Sequence, residues 1–137
     1  MSEYDVLVHG SNFMLRLDNK IIRAGFFTTI RISVIDINNI EIEALSELRK
    51  MVFKAGESFV WKEPIKAHVC VAGYYEISIC DEKPKGGFSF YQISRLKSYM
   101  ATAKFLLLRF LARQGFANSF FVPQPFVPLK SNNEPYL

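Results

Sequence analysis

The stretch "GFFTTIRISVID", Gly25 to Asp36, decides how the rest of the chain is read. Phe26, Thr28, Ile30, Ile32 and Val34 alternate with Phe27, Thr29, Arg31 and Ser33. Successive side chains of a strand point to opposite faces, so the first set makes a nearly continuous apolar side. An antiparallel strand with one face in a core has this pattern. The second face sets Phe27 and Thr29 beside the cation Arg31. Such a face suits either a covering helix or a partner.

Upstream, "YDVLVHG" sets Tyr4, Val6 and Val8 against Asp5, Leu7 and His9. "SNFMLRLD" sets Phe13, Leu15 and Leu17 against Asn12, Met14, Arg16 and Asp18. Gly10-Ser11 between these runs and Asp18-Asn19-Lys20 after them are turn-forming residues. The expectation is therefore a meander of three strands.

Downstream the period changes. "NNIEIEALSELRKMVFKAG" predicts a helix over 39–55, with Ala44, Leu45, Leu48 and Val52 as its core stripe and Gly56 as its stop. Asn38 with Glu41 resembles a capping box. Glu41, Glu43 and Glu47 fall early, and Arg49, Lys50 and Lys54 late, which suits the helix dipole. "IKAHVCVAGYYEISICDE" reads as one or two strands with Ala72-Gly73 as the possible turn; a tight hairpin there would set Cys70 against Tyr75. "FSFYQI" is a last strand or the start of the next helix.

A second helix is expected over 94–114. Leu96, Tyr99, Met100, Ala103, Leu107, Phe110 and Leu111 form one broad face, a natural cover for a sheet. Phe105 and Leu108 fall on the charged side near Arg109, where they are expected to pair two copies of the chain. Lys97, Lys104, Arg109 and Arg113 exclude this helix as a membrane span, although basic amphipathic helices do bind anionic lipid. Four prolines between Pro123 and Pro135 predict an extended tail, made apolar by Phe120, Phe121, Phe126 and Val127. The fold expected is α+β: an antiparallel sheet of four to five strands with two helices, the second in a C-terminal extension. Residues 1–91 form the body, and 92–137 an extension of the same domain.

"GSNFMLRLDNKIIRAGFFTTIRISVIDINNIEIEAL" resembles a family of small bacterial proteins of uncharacterised function. The likeness rests on G-x-N-F at Gly10 to Phe13, G-F-[YF]-T-T at Gly25 to Thr29, a helix rich in Glu and Ala at Ile40 to Leu45, and G-F-[TS]-[FW]-[YF] at Gly87 to Tyr91. It covers residues 4–91 and implies a fold but no catalytic residues.

The chain has 137 residues, enough for one domain, and its 13 Phe supply a core. Its net charge of +4 is unevenly placed. Residues 1–91 hold 11 Lys/Arg against 12 Asp/Glu; residues 92–137 hold 6 against Glu134 alone. Such asymmetry marks a solvated helix face, an acidic partner or a nucleic-acid contact. Cys70 and Cys80 make no disulfide framework, and "MSEYDVLVHG" lacks the basic start of a secretory signal, so a reducing cytoplasm is the expected compartment.

Chemistry is sparse. His9, His68 and two Cys lack the spacing of a metal site, and no phosphate-cradling loop or nucleophile elbow is present. Neither catalytic residues, metal nor cofactor are expected. His9, His68 and Lys66 could serve a small toxin-like nuclease only if the fold brought them together. The basic residues of the second helix are the alternative basis for a nucleic-acid-binding module. The preferred expectation is a small bacterial protein-binding protein, concretely an immunity protein neutralising a cognate toxin. Its candidate partner-binding residues are Phe27, Thr29, Arg31, Asp36, Glu41, Glu43, Glu47, Phe105, Leu108 and Arg109.

Overall fold

The first strand is longer than its sequence pattern predicts. In the computed structural model, which describes residues 2–60, 67–78, 87–113, 124–126, 129–131 and 134–135, strand β1 runs unbroken over Ser2–Leu17. It pairs antiparallel with β2 (Lys20–Val34) along its whole length. Gly10-Ser11, expected as a turn, lies inside β1. Gly10 pairs with Phe26 but Phe13 pairs with Ala24, so β1 carries one extra residue there. This is a β-bulge. Asn12 occupies the left-handed region at φ 60, which Asn tolerates better than most residues.

The bulge explains the two phases of the sequence. Before it the core-facing residues are Val6 and Val8; after it they are Phe13 and Leu15, and all four are buried. One extra residue converts even numbering to odd, so both runs feed the same core. The true turn is at Asp18-Asn19, as expected, with both residues at positive φ.

Helix α1 (Ile40–Ala55) packs its buried stripe of Ala44, Leu45, Leu48 and Val52 on the core side of the sheet. Gly56 ends it at φ 62. The N-terminal cap differs from expectation. A 3-10 turn over Ile37–Asn39 precedes α1, and the Asp36 carboxylate accepts the Asn38 N–H at 3.0 Å. Asn39, not Asn38, is the cap residue of α1, and it makes no side-chain cap bond. Glu41 reaches sideways instead, accepting from the Gln124 amide.

Strand β3 (His68–Glu76) pairs with the other edge of β1. Ala72-Gly73 is an irregularity inside β3, not a turn: Leu7 pairs with Gly73 and Val8 with Val71. Cys70 therefore pairs with His9 across β1 and does not face Tyr75, while Cys80 lies outside the described residues. Strand β4 (Ser89–Gln92) borders β2, and β5 (Gln124–Pro125) borders β3. The order is β4-β2-β1-β3-β5, a five-stranded antiparallel sheet. Helix α2 (Arg95–Arg113) lies on the face opposite α1, and β6 (Leu129–Ser131) pairs with β7 (Glu134–Pro135). The fold is α+β, as expected.

The core centre is aromatic. Phe13 meets Phe26 edge-on at 4.9 Å between ring centroids, Phe59 at 5.7 Å and Phe126 at 5.1 Å. Phe126 is buried here, so the Pro-rich tail contributes to the core, whereas Phe120, Phe121 and Val127 lie outside the described residues. Burying side chains of this size contributes roughly 1.5–3 kcal/mol each. The bulge leaves no room for a Cβ at Gly10, which would stand 2.3 Å from the Phe26 ring and 2.8 Å from the Phe13 ring. Both rings are fully buried and cannot swing clear.

Gly10→Ala is therefore expected to lower unfolding stability by about 1–3 kcal/mol. Gly73→Ala, where a Cβ meets nothing within 4 Å, is the control and should stay within about 0.5 kcal/mol of the parent. Urea unfolding of both variants checks this.

Candidate functional site

Alternation places Leu7, His9, Phe27, Thr29 and Arg31 on the sheet face remote from α1. Helix α2 covers one end of that face. It is tied down where the bulge turns the Asn12 side chain toward it: Asn12 Nδ2 donates to Thr102 Oγ1 at 2.8 Å. Phe105 stacks on His68 at 4.7 Å with the planes 13° apart, and Arg109 lies over the Phe105 ring at 5.7 Å.

Between helix and sheet is a cleft of about 370 Å³. Its sheet wall holds His9, Ser11, His68 and Cys70; its helix wall holds Lys97, Lys104, Phe105 and Leu108; Tyr91 and Ile93 close one side. The two histidines, separated by 59 residues of sequence, converge because Ser11 pairs with His68 and His9 with Cys70 on adjacent strands. Lys66, the third residue of the expected acid–base set, lies outside the described residues.

His9 hydrogen-bonds through Nε2 to the Tyr91 hydroxyl and stacks on Phe27 at 4.6 Å. Burial, and secondly the charge of Lys104, hold its pKa below the usual 6.5, so the ring is neutral at pH 7. Burial also pushes the Tyr91 hydroxyl up. The Cys70 thiol is pushed to about 11 by burial and then by the charge of Glu41, with Lys104 opposing, so it is a thiol and not a thiolate at neutral pH. Among the described residues, no three His, Cys, Asp or Glu converge as a metal site.

Beyond the end of α2 the face is open. Phe27 is 42 % exposed and Tyr75 62 %, and Leu7 and Tyr91 are also exposed. Asp5 and Arg31 form a forked ion pair in this face, Nε to Oδ1 at 2.9 Å and Nη2 to Oδ2 at 3.1 Å. The Tyr75 hydroxyl donates to Asp5 Oδ2 at 3.2 Å. The Arg31 hydrogen bond holds the Asp5 carboxyl below the usual carboxylate range, against burial, with Tyr75 and the Arg31 charge assisting.

The ten residues expected at an interface fall on two sides of the molecule. Phe27, Thr29 and Arg31 lie on the side of the sheet that carries α2, with its Phe105, Leu108 and Arg109. Asp36 is engaged at the 3-10 turn, and Glu41, Glu43 and Glu47 ride on α1 across the sheet, Glu47 paired with Lys50 at 3.1 Å. Phe105 and Leu108, expected to face a second copy, turn inward and line the cleft. The broad apolar face expected to cover the sheet points outward, with Leu96, Tyr99, Met100, Leu107 and Phe110 all exposed. Sequence reasoning passed over Tyr91, Lys97 and Lys104 as cleft residues, since only the strand pairing and the helix rotation bring them to the histidines.

Comparisons with family models, with curated proteins and with solved structures found no match. Among the described residues, no helix is long and apolar enough to cross a membrane.

Two titrations check this geometry. Because the Asp5 pKa is lowered on folding, its contribution is present above the unfolded carboxylate range and is lost as pH falls through the folded value. Asp5→Asn should therefore flatten the loss of stability below about pH 4, measured as the urea midpoint against pH. For His9, nuclear magnetic resonance should find a midpoint below 6.5. Lys104→Ala should raise it only part of the way, since burial is the larger cause.

Proposed function

We propose that this chain is a non-catalytic binding protein that takes a protein partner on the open face of its sheet. The observation that carries the reading is the run of exposed Phe27, Tyr91, Tyr75 and Leu7 along the sheet face that also holds the Asp5–Arg31 ion pair. Tyr, Phe and Arg are enriched where protein interfaces concentrate their energy. The ion pair and its Tyr75 bond neutralise the polar centre in advance, so docking here buries no unpaired charge.

The concrete form of this proposal is an immunity protein that neutralises a bacterial toxin. A toxin is blocked by occlusion alone, which asks for a firm aromatic face and no chemistry. The acids of α1 lie across the sheet from that face, so in this form the aromatics carry the affinity and Glu43 and Glu47 do not touch the same partner surface.

A second reading is favoured by one observation: His9 and His68 line a single cleft with Lys97 and Lys104. Paired histidines flanked by cations are the equipment of acid–base cleavage of a phosphodiester. It predicts hydrolysis of an oligonucleotide that both His9→Ala and His68→Ala abolish. Activity unchanged by both substitutions dismisses it.

For the binding reading, a pull-down from the native host should recover a stoichiometric protein partner, and expression of the chain should rescue cells from the partner when that partner is toxic. Phe27→Ala should weaken the complex by about tenfold or more without loss of the folded state. Recovery of no partner, together with no rescue, overturns the proposal.

A further inference from the structure

Helix α2 is turned so that its narrower side meets the sheet. Thr102, Phe105 and Leu108 face inward, making the Asn12 bond, the His68 stack and the cleft wall. At 100° per residue the opposite arc is Leu96, Tyr99, Met100, Leu106, Leu107 and Phe110, and each of these is between 57 % and 70 % exposed. Side chains of this size present roughly 200 Å² each when free. The arc thus offers on the order of 700 Å² of apolar surface, above the roughly 300–600 Å² of the largest patch on a typical monomer.

The charges around this arc select its occupant. Lys97 and Lys104 border one edge; Arg109 and Arg113 border the other; the sequence of α2 holds no Asp or Glu. A second copy of α2 laid on the arc would bring these four cations against four, with no α2 carboxylate to separate them. An apolar arc with cations along both edges instead matches a surface that is apolar inside and anionic at its rim. A bilayer containing anionic lipid is such a surface, and a helix lying in its plane buries the arc among the acyl chains while Lys and Arg reach the phosphates.

We propose that the outward face of α2 docks this protein on anionic lipid bilayers, with Leu96, Tyr99, Met100, Leu106, Leu107 and Phe110 inserted at the headgroup boundary and the flanking Lys and Arg on lipid phosphates. The helix lies in the interface and does not span it, as its charge content requires. The inward side of α2 keeps its contacts with the sheet, so docking needs no unfolding of the body.

Flotation of the full chain with vesicles tests this. Vesicles of phosphatidylcholine mixed with phosphatidylglycerol should carry the protein; vesicles of phosphatidylcholine alone should carry at least about tenfold less, and salt should weaken the binding because exposed charge pairs are screened. Leu107→Asp, at an exposed position, should reduce binding by about tenfold or more with an unchanged circular dichroism spectrum, since a charge placed in the inserted arc opposes its burial. Arg113→Gln should reduce it less and diminish its salt dependence. Absence of flotation with the anionic vesicles overturns the proposal, as does equal binding by Leu107→Asp. A stable dimer by light scattering that Leu107→Asp dissolves would assign the arc to a second copy and also overturns it.

Discussion

The single extra residue between Gly10 and Phe13 is the constraint on which the rest of the molecule depends. A strand of period two that continued straight through would send Phe13 and Leu15 to the face opposite Val6 and Val8. With the bulge, all four feed one core, and the 16-residue β1 serves as the central strand to both β2 and β3. The same three positions do separate jobs. Gly10 lets two buried rings close over the backbone, Asn12 absorbs the left-handed turn and anchors α2, and Phe13 becomes the hub of the aromatic core.

Having one centre for the whole sheet divides the molecule into unlike halves. The α1 side is apolar but for Thr28, whose hydroxyl donates to the Gly87 carbonyl oxygen, and is closed by helix and tail, down to the insertion of Phe126 against Phe13. The other side carries the residues that alternate with the core set, and these are chemically mixed: Asp5, His9, Ser11, Thr29, Arg31, His68 and Cys70. Polar groups in such a surface must find partners before they can be covered. Some do so locally, as Asp5 does with Arg31 and Tyr75, and His9 with Tyr91. A face so internally satisfied is firm, and it presents its remaining exposed rings, Phe27 and Tyr75, on a fixed support.

How far this was legible varies with the length of the pattern. The core set of β2 and the stripe of α1 could be read from the sequence because each repeats one period over many residues, and every member named is buried. The break at Gly10-Ser11 was visible, but its meaning was not: a turn and a bulge both interrupt alternation, and both favour Gly and Asn. Only the partner strand distinguishes them, since β2 runs past the break without turning. The same ambiguity holds for Ala72-Gly73 in β3. At the start of α1, Asp36, Asn38 and Asn39 can each act as a cap, and the choice rests on a 3-10 turn with no signature of its own.

Helix α2 is the instructive failure, because the amphipathic pattern was read correctly and its direction was not. The most apolar arc of a helix faces the core when the core offers it an apolar bed. Here the bed is the mixed side of the sheet, where the polar His68, Ser11 and Asn12 are buried, so it offers no continuous apolar bed. Thr102 supplies a hydroxyl to Asn12 and Phe105 a flat ring to His68, so the side bearing those two residues is the one that fits. The rotation is set by the receiving face and not by the helix's own hydrophobicity. Once Thr102 and Phe105 are engaged, the 100° step between residues leaves Leu107 and Phe110 no choice but to point away from the body.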